Sequence, residues 1–429
     1  MTLVIVLLVA IFGLMLLGVP IGFAILAGGT LTIATMMPHA NLVIVPQQVF
    51  IGIDSFSLLA IPCFLLAGAL MSAGGITTRL LDLANAILGR FRGGLAMSNV
   101  LSATIFAGIS GSAVADTSAL GRILVPAMIQ AGYKPGFAAA LTASANVLAP
   151  IIPPSIAFIV VGVLTSQSIT RLFIAGILIG LVYSAALIAV IVWMARSHDF
   201  PVYGKTPLAE IGRSFVRALA AILMPVLIIG GIRTGIFNVT EVAAVTVLYA
   251  LFVGFVIYRE LTWRKVYESL VSSAHITAII MVIVGAARIF SWVLGYTGLP
   301  DQIAAFLLSI TDNPLLFLLL INILMLIVGM FVEANAALIM LLPVLYPVAL
   351  QLGIDPLHFS VVVVVNLCIG LITPPVGLTL NLSSLMAGIR MEEGVRYIWP
   401  FLISGLLVLA LLTYVPGLAT WLPNVLMGA

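Results

Sequence analysis

The stretch Pro126-Ala-Met-Ile-Gln130-Ala-Gly132-Tyr-Lys-Pro135 returns further along the chain as Pro347-Val-Ala-Leu-Gln351-Leu-Gly353-Ile-Asp-Pro356. The offset is 221 residues, and it holds without a gap on either side: Gly108 falls on Gly329, and Pro153-Pro154 on Pro374-Pro375. Glycine and proline fix backbone geometry, so what recurs is a path of the chain. An apolar composition produces chance Leu and Val matches, but not spaced Gly, Pro and Gln matches. The chain reads as two copies of one fold.

The medium around that fold follows from composition. Of 429 residues, 63% are hydrophobic and 7% charged, against roughly a quarter charged in soluble domains. No water-soluble core could hide so much apolar surface, so lipid is the solvent for most of the chain. Cys63 and Cys368 sit in apolar runs and form neither a disulfide framework nor a metal-ligand spacing. The four histidines (39, 198, 275 and 358) are dispersed, and no Gly-x4-Gly-Lys-Ser/Thr loop is present. An enzyme, an ATPase and a nucleic-acid partner are therefore not expected.

Polar breaks mark ten apolar spans near 2–17, 20–37, 55–74, 137–164, 171–195, 218–235, 240–258, 273–297, 358–388 and 398–420. Residues 2–17 are read as a retained span, because no basic residue precedes Arg79. Two stretches, 95–130 and 313–350, are too long for one helix. Each breaks near its middle, at Gly108–Ser112 and at Gly329–Asn335. Their arms reach ~21–27 Å at 1.5 Å per residue, short of a ~30 Å hydrocarbon core, which points to re-entrant hairpins. Segments 76–92 and 299–310 have one apolar side and suit interfacial helices.

The expected fold is thus an all-α polytopic membrane protein of two repeats. Residues 1–195 form the first (hairpin 95–130, broken helix 137–164), and 218–429 the second (hairpin 313–350, broken helix 358–388). A polar connector, 196–217, joins them. Five spans per copy is an odd number, so the second copy starts on the opposite side and runs inverted. Threading the spans puts thirteen of the 17 Lys and Arg residues on the side of the connector and only Arg171 and Arg233 on the other. By the positive-inside rule the connector is cytoplasmic and both termini lie outside.

Inverted repeats with interrupted helices are the signature of secondary transporters. The interruptions here are Asn146-Val-Leu-Ala149-Pro150-Ile-Ile152-Pro153-Pro154-Ser155 and Asn366-Leu-Cys-Ile-Gly370-Leu-Ile-Thr373-Pro374-Pro375-Val376-Gly377. Each Pro-Pro pair removes two backbone donors and frees the carbonyls one turn earlier, and such groups must line protein or a polar cavity. Freed carbonyls suit a bare monovalent cation, and half-helix N-termini suit a carboxylate. One expected cage combines Gly108 and Ser110 with Ala149, Ile152 and Pro154. The other combines Gly329 with Gly370, Thr373 and Val376. Substrate is expected near Ser110, Ser112, Asp116, Asn146, Glu333, Asn335 and Asn366. Two bland readings stand beside this: Asp116 pairs with Arg122, and Glu333 caps the helix that follows it.

The tip Gly108-Ile-Ser-Gly-Ser-Ala-Val-Ala-Asp-Thr-Ser-Ala-Leu-Gly121, the Tyr133-Lys134-Pro135 turn and the two broken motifs together resemble the large membrane subunit of tripartite ATP-independent periplasmic (TRAP) transporters. The resemblance covers essentially the whole chain. It implies a bacterial inner-membrane importer driven by a sodium gradient, with two or more sodium ions bound at the cage positions and no organic cofactor. It also implies a four-helix small membrane subunit, a periplasmic substrate-binding protein, a carboxylate substrate, and an elevator-type motion of hairpins and broken helices against a scaffold. The family's C4-dicarboxylate and sialic-acid branches both fit, with a leaning to the latter. The sequence departs from the family symmetry where Ala149 stands opposite Gly370. A stand-alone ion-coupled organic-anion carrier of the same architecture is the alternative.

Overall fold

The computed structural model describes residues 2–37, 40–197, 200–202, 206–298 and 313–428. All regular elements among the described residues are helical, and eight helices are long and apolar enough to cross a membrane by length and composition. The first two expected spans are shorter helices, Thr2–Leu16 and Ile21–Met36. The expected interfacial helix 299–310 lies outside the described residues.

The repeat is written in the helix boundaries. The hairpin arms are Gly94–Ser110 and Ala113–Gln130 in the first copy, Pro314–Phe331 and Ala334–Gln351 in the second. Each hairpin ends in a glycine turn, Gly132 (φ +95°) and Gly353 (φ +71°), and the next helix starts on a proline, Pro135 and Pro356. The missing N–H costs nothing at a first helical position. Both following helices then break, between Asn146 and Ile156 and between Gly370 and Leu378.

Three boundaries differ from the sequence reading, each for a local reason. The polar connector gives up residues from Leu208 onwards to a 26-residue helix that begins after Pro207. The span expected from residue 273 begins at Trp263, because the Thr262 hydroxyl accepts the Lys265 N–H and caps it. The span expected at 398–420 runs Met391–Tyr414 and stops at Val415-Pro416, after which Gly417–Met427 forms a separate helix. One helix was not anticipated, Ile44–Ile53.

Side-chain contacts sort the helix ends onto two faces. On one, Arg79 pairs with Glu260 at 2.7 Å, Lys265 Nζ donates to the Ala73 carbonyl at 3.0 Å, and Tyr133 and Phe137 pack on Phe200. On the other, Gln167 donates to Tyr346, the Pro356 carbonyl and Ser360, Arg171 donates to Asn424, and His358 bonds the Leu412 carbonyl. The first hairpin opens towards the former face and the second towards the latter, so the copies run in opposite senses.

Packing also divides the chain into two sets. The helices Ile21–Met36, Ala60–Ala73, Val239–Phe252 and Trp263–Thr297 pack on one another, crosswise between copies. The hairpins and broken helices form the other set, also crosswise: Ala113–Gln130 lies on Leu378–Met386, and Ala334–Gln351 on Ile156–Thr165. Helix Ile76–Leu88 buries Ile76, Leu80, Leu83 and Ala84 and rests on Leu208–Arg233.

Candidate functional site

The two breaks leave backbone oxygens without backbone donors. Among the described residues, the carbonyls of Ile152, Pro153 and Pro154 accept no backbone hydrogen bond, nor do those of residues 372–376. Pro153-Pro154 and Pro374-Pro375 are both cis. The chain resumes as helix where Ser155 Oγ accepts the Phe158 N–H at 3.1 Å and donates to the Pro150 carbonyl at 2.5 Å. In the second copy Thr379 spans the gap, its N–H and hydroxyl donating to the Leu371 carbonyl at 3.1 and 2.9 Å. The Thr373 hydroxyl donates to the Ile369 carbonyl at 2.9 Å, leaving its oxygen lone pairs free.

The first hairpin turns at Gly111 (φ +69°), and a Cβ there would strike the Pro154 carbonyl oxygen. A Cβ on Gly108 would lie 2.7 Å from Pro225 Cγ and 3.7 Å from the Pro153 oxygen. In the second copy Gly329 and Gly370 meet backbone to backbone: a Cβ on Gly370 would lie 2.6 Å from Gly329 Cα. This accounts for the departure at Ala149. The Gly370 position needs a glycine because the backbone of Gly329 crosses it, whereas in the first copy Gly108, the counterpart of Gly329, faces the Pro225 side chain. In the first copy the tip is thus set beside the free carbonyls of Pro153 and Pro154. In the second copy the contact of Gly329 with Gly370 joins the first arm to the end of the helix before the break. Gly329, expected in the second turn, sits inside the arm, and the turn itself is Val332-Glu333.

Between the tips lies a cavity of about 980 Å³. Ser110, Ser112 and Asp116 line it from the first hairpin, and Glu333 and Asn335 from the second. Ser112 accepts the Ala115 N–H and caps its arm, and Ser110 donates to Asp116. Asp116 makes no ion pair among the described residues, so the expected pairing with Arg122 is not formed. Glu333 is the cap that one reading anticipated: its Oε2 accepts the Asn335 and Ala336 N–H groups at 2.9 and 3.2 Å, and its Oε1 accepts the Asn335 side-chain amide at 2.8 Å.

Two residues named from sequence stand apart from the cavity. Asn366 donates to the Asn322 carbonyl and side chain, and Asn322 donates to Thr413, a network within the packed helices. Asn146 is buried with both side-chain polar atoms unpartnered. The opposite wall of the cavity was missed from sequence: Lys265, Glu268, Ser269, Ser272 and Ser273 form a polar stripe of helix Trp263–Thr297. The spacing of three and four residues was the available signal. Because Ser72, Ala73, Lys265 and Glu268 also line it, the cavity reaches the face that carries the Arg79–Glu260 pair.

Crossed hairpins, paired breaks and a cavity at their tips define a class first, that of polytopic membrane transporters built from repeats. Comparison narrows it. The chain belongs to the family described as the tripartite ATP-independent periplasmic transporter, DctM component, whose model matches residues 8–418. Large permeases of this family work with a periplasmic binding protein. The chain is 40% identical over 402 residues to the 2,3-diketo-L-gulonate TRAP transporter large permease of Escherichia coli K12, covering 94% of each. It is 38% identical over 416 residues to the sialic acid TRAP transporter large permease of Vibrio cholerae, covering 97% of each. Among solved structures, a crystal structure of the Alcanivorax borkumensis YdaH transporter, described as having an unusual topology, matches with a TM-score of 0.61. It covers 87% of each chain at 16% identity, and so shares the fold.

Proposed function

We propose that this large permease imports a carboxylate-bearing organic acid across the bacterial inner membrane, coupled to sodium, by sliding its hairpin and broken-helix block against the scaffold. The observation that carries the reading is the meeting of both hairpin tips around one cavity, the first beside the free carbonyls of its break and the second on an arm that packs on Gly370, just before the other break. Free main-chain oxygens are hard, neutral ligands that suit sodium at Gly108, Ser110, Ala149, Ile152 and Pro154, and at Gly329, Gly370, Thr373 and Val376. The cavity opens on the basic face, which the positive-inside rule makes cytoplasmic, so the structure corresponds to the inward-facing end of the cycle. Both termini are then periplasmic.

As large permeases of this family work with a periplasmic binding protein and usually a small membrane subunit, the binding protein hands over the acid and the small subunit braces the scaffold. Relatives named for diketogulonate and for sialic acid are almost equally similar to this chain. A relative named for C4-dicarboxylates is as similar, so the substrate class is the chemistry common to all three, a small organic acid bearing at least one carboxylate. The test is uptake into proteoliposomes holding both membrane subunits, with the binding protein outside and a panel of radiolabelled acids. Import is expected only under an inward sodium gradient. Uptake driven by protons in the absence of sodium overturns the coupling.

A further inference from the structure

Five ionisable side chains line the cavity, and four of them are committed to protein partners. Asp116 receives the Ser110 hydroxyl, and Glu333 caps its helix. Lys265 donates to the Ala73 and Glu260 carbonyls at 3.0 and 2.9 Å, and Glu268 pairs with Arg264 at 2.9 Å. The fifth is Arg122, which is exposed and makes no hydrogen bond or ion pair among the described residues. It stands nine residues beyond Ala113 on the second arm of the first hairpin, about 14 Å from the tip at 1.5 Å per residue. That places it between the tips and the cytoplasmic mouth, on the block that moves.

We infer that Arg122 is the charge-selecting residue of the cytoplasmic vestibule, holding the carboxylate of the acid as it leaves the tips. A guanidinium offers a planar pair of donors that matches a carboxylate, and it remains charged at any working pH. In a cavity with an apolar wall at Ile276, Ile279, Ile280 and Ile283, a guanidinium with no ion-pair partner draws anions towards its own position; Lys265 adds to that field and the carboxylates of Asp116, Glu333 and Glu268 oppose it. The inference rests on the acid-import reading for its substrate, but the charge effect is measurable without any substrate.

The probe is a cysteine at Ser272, an exposed residue of the facing wall, with Cys63 and Cys368 replaced by alanine. Its reaction rates with an anionic reagent (2-sulfonatoethyl methanethiosulfonate) and a cationic one (the trimethylammonium analogue) are each normalised to a small free thiol at low salt. The anionic-to-cationic ratio with Arg122 in place is the reference, since the other charged lining groups are common to all the variants. Arg122→Gln should lower it roughly fourfold or more, the effect of removing one charge across about 10 Å of solvated space. Arg122→Lys should keep it, and Arg122→Glu should lower it further. An unchanged ratio in Arg122→Gln overturns the assignment. If the ratio falls but no acid is imported by the assembled transporter, the import reading fails and the charge role stands. If import is robust and the ratio does not move, only the role of Arg122 falls.

Discussion

Gly370→Ala is the sharpest perturbation of the second cage. The added methyl would lie 2.6 Å from Gly329 Cα and 2.7 Å from its carbonyl carbon, where carbon atoms rest at about 3.5–4.0 Å. Both neighbours are backbone, so relief comes only from moving the hairpin arm off the broken helix by roughly 1 Å. Overpacking of this kind costs about 1–3 kcal/mol, and the better helix propensity of alanine returns at most about 1 kcal/mol. The functional loss should be larger than the stability loss, because ligand distances at a bound ion tolerate only about 0.2 Å. Thermal unfolding of purified protein, with sodium chloride titrated against choline chloride at constant ionic strength, reads this directly through ligand linkage. The half-saturating sodium concentration should rise about tenfold or more. Gly230→Ala is the control: nothing lies within 4 Å of its Cβ position on helix Leu208–Arg233, so it should stabilise by about 0.4–1 kcal/mol and leave the sodium response alone. A Gly370→Ala sodium curve superimposable on that of the wild type refutes the reasoning.

Other expectations follow from single contacts. Thr373→Ala removes one hydroxyl bond to the Ile369 carbonyl, worth about 0.5–1.5 kcal/mol; sodium dependence of uptake should weaken beyond what that loss explains, and an unchanged sodium affinity removes the hydroxyl from the cage. Glu333→Ala deletes the cap of helix Ala334–Gln351 and should cost about 0.5–2 kcal/mol in unfolding experiments, with Glu333→Asp recovering part of it. Asn322→Leu removes one of the two bonds the Asn366 amide donates and the bond the Thr413 hydroxyl accepts, leaving them the Asn322 and Leu409 carbonyls. It should destabilise by about 0.6–2 kcal/mol while leaving substrate affinity in the uptake assay unchanged.

The glycine and proline skeleton was legible because those residues carry their geometry with them. The turns at Gly132 and Gly353 and the two breaks fall where residue identity put them, and the helices that follow the turns start at Pro135 and Pro356, two residues ahead of the expected 137 and 358. The second tip also falls inside the expected Gly329–Asn335 interruption, but its glycine does not make the turn, because a glycine has two uses. Gly329 is there to let Gly370 approach, and the turn is made by Glu333 capping with its own carboxylate. Helix Ile44–Ile53 escaped notice because the copies diverge there. At the 221-residue offset, it and the Phe56–Ala73 helical stretch both map within the single helix Trp263–Thr297, and Asp54-Ser55 interrupts only the first copy.

What could not be read is what depends on which surfaces face each other. Lys265 and the serines beyond it counted only towards topology until the opposite hairpin showed them to be a cavity wall. Asn366 looked like a ligand because it begins a break. Its partner Asn322 lies on the first arm of the hairpin, 44 residues away, and no spacing rule connects them. Arg122 and Asp116 are both in the cavity, yet Asp116 is held by Ser110 across the turn, which leaves the arginine unengaged.

The opposed orientation of the two copies supports every functional statement made above, and one labelling experiment reaches it directly. Lys134→Cys and Gln351→Cys, both at exposed positions beside the equivalent turns, are treated with a membrane-impermeant maleimide in intact spheroplasts and again after permeabilisation. The cysteine at 351 should label in intact cells and the cysteine at 134 only once the membrane is opened. Equal labelling of both from the same side would contradict an inverted repeat, and with it the shared cage and cavity.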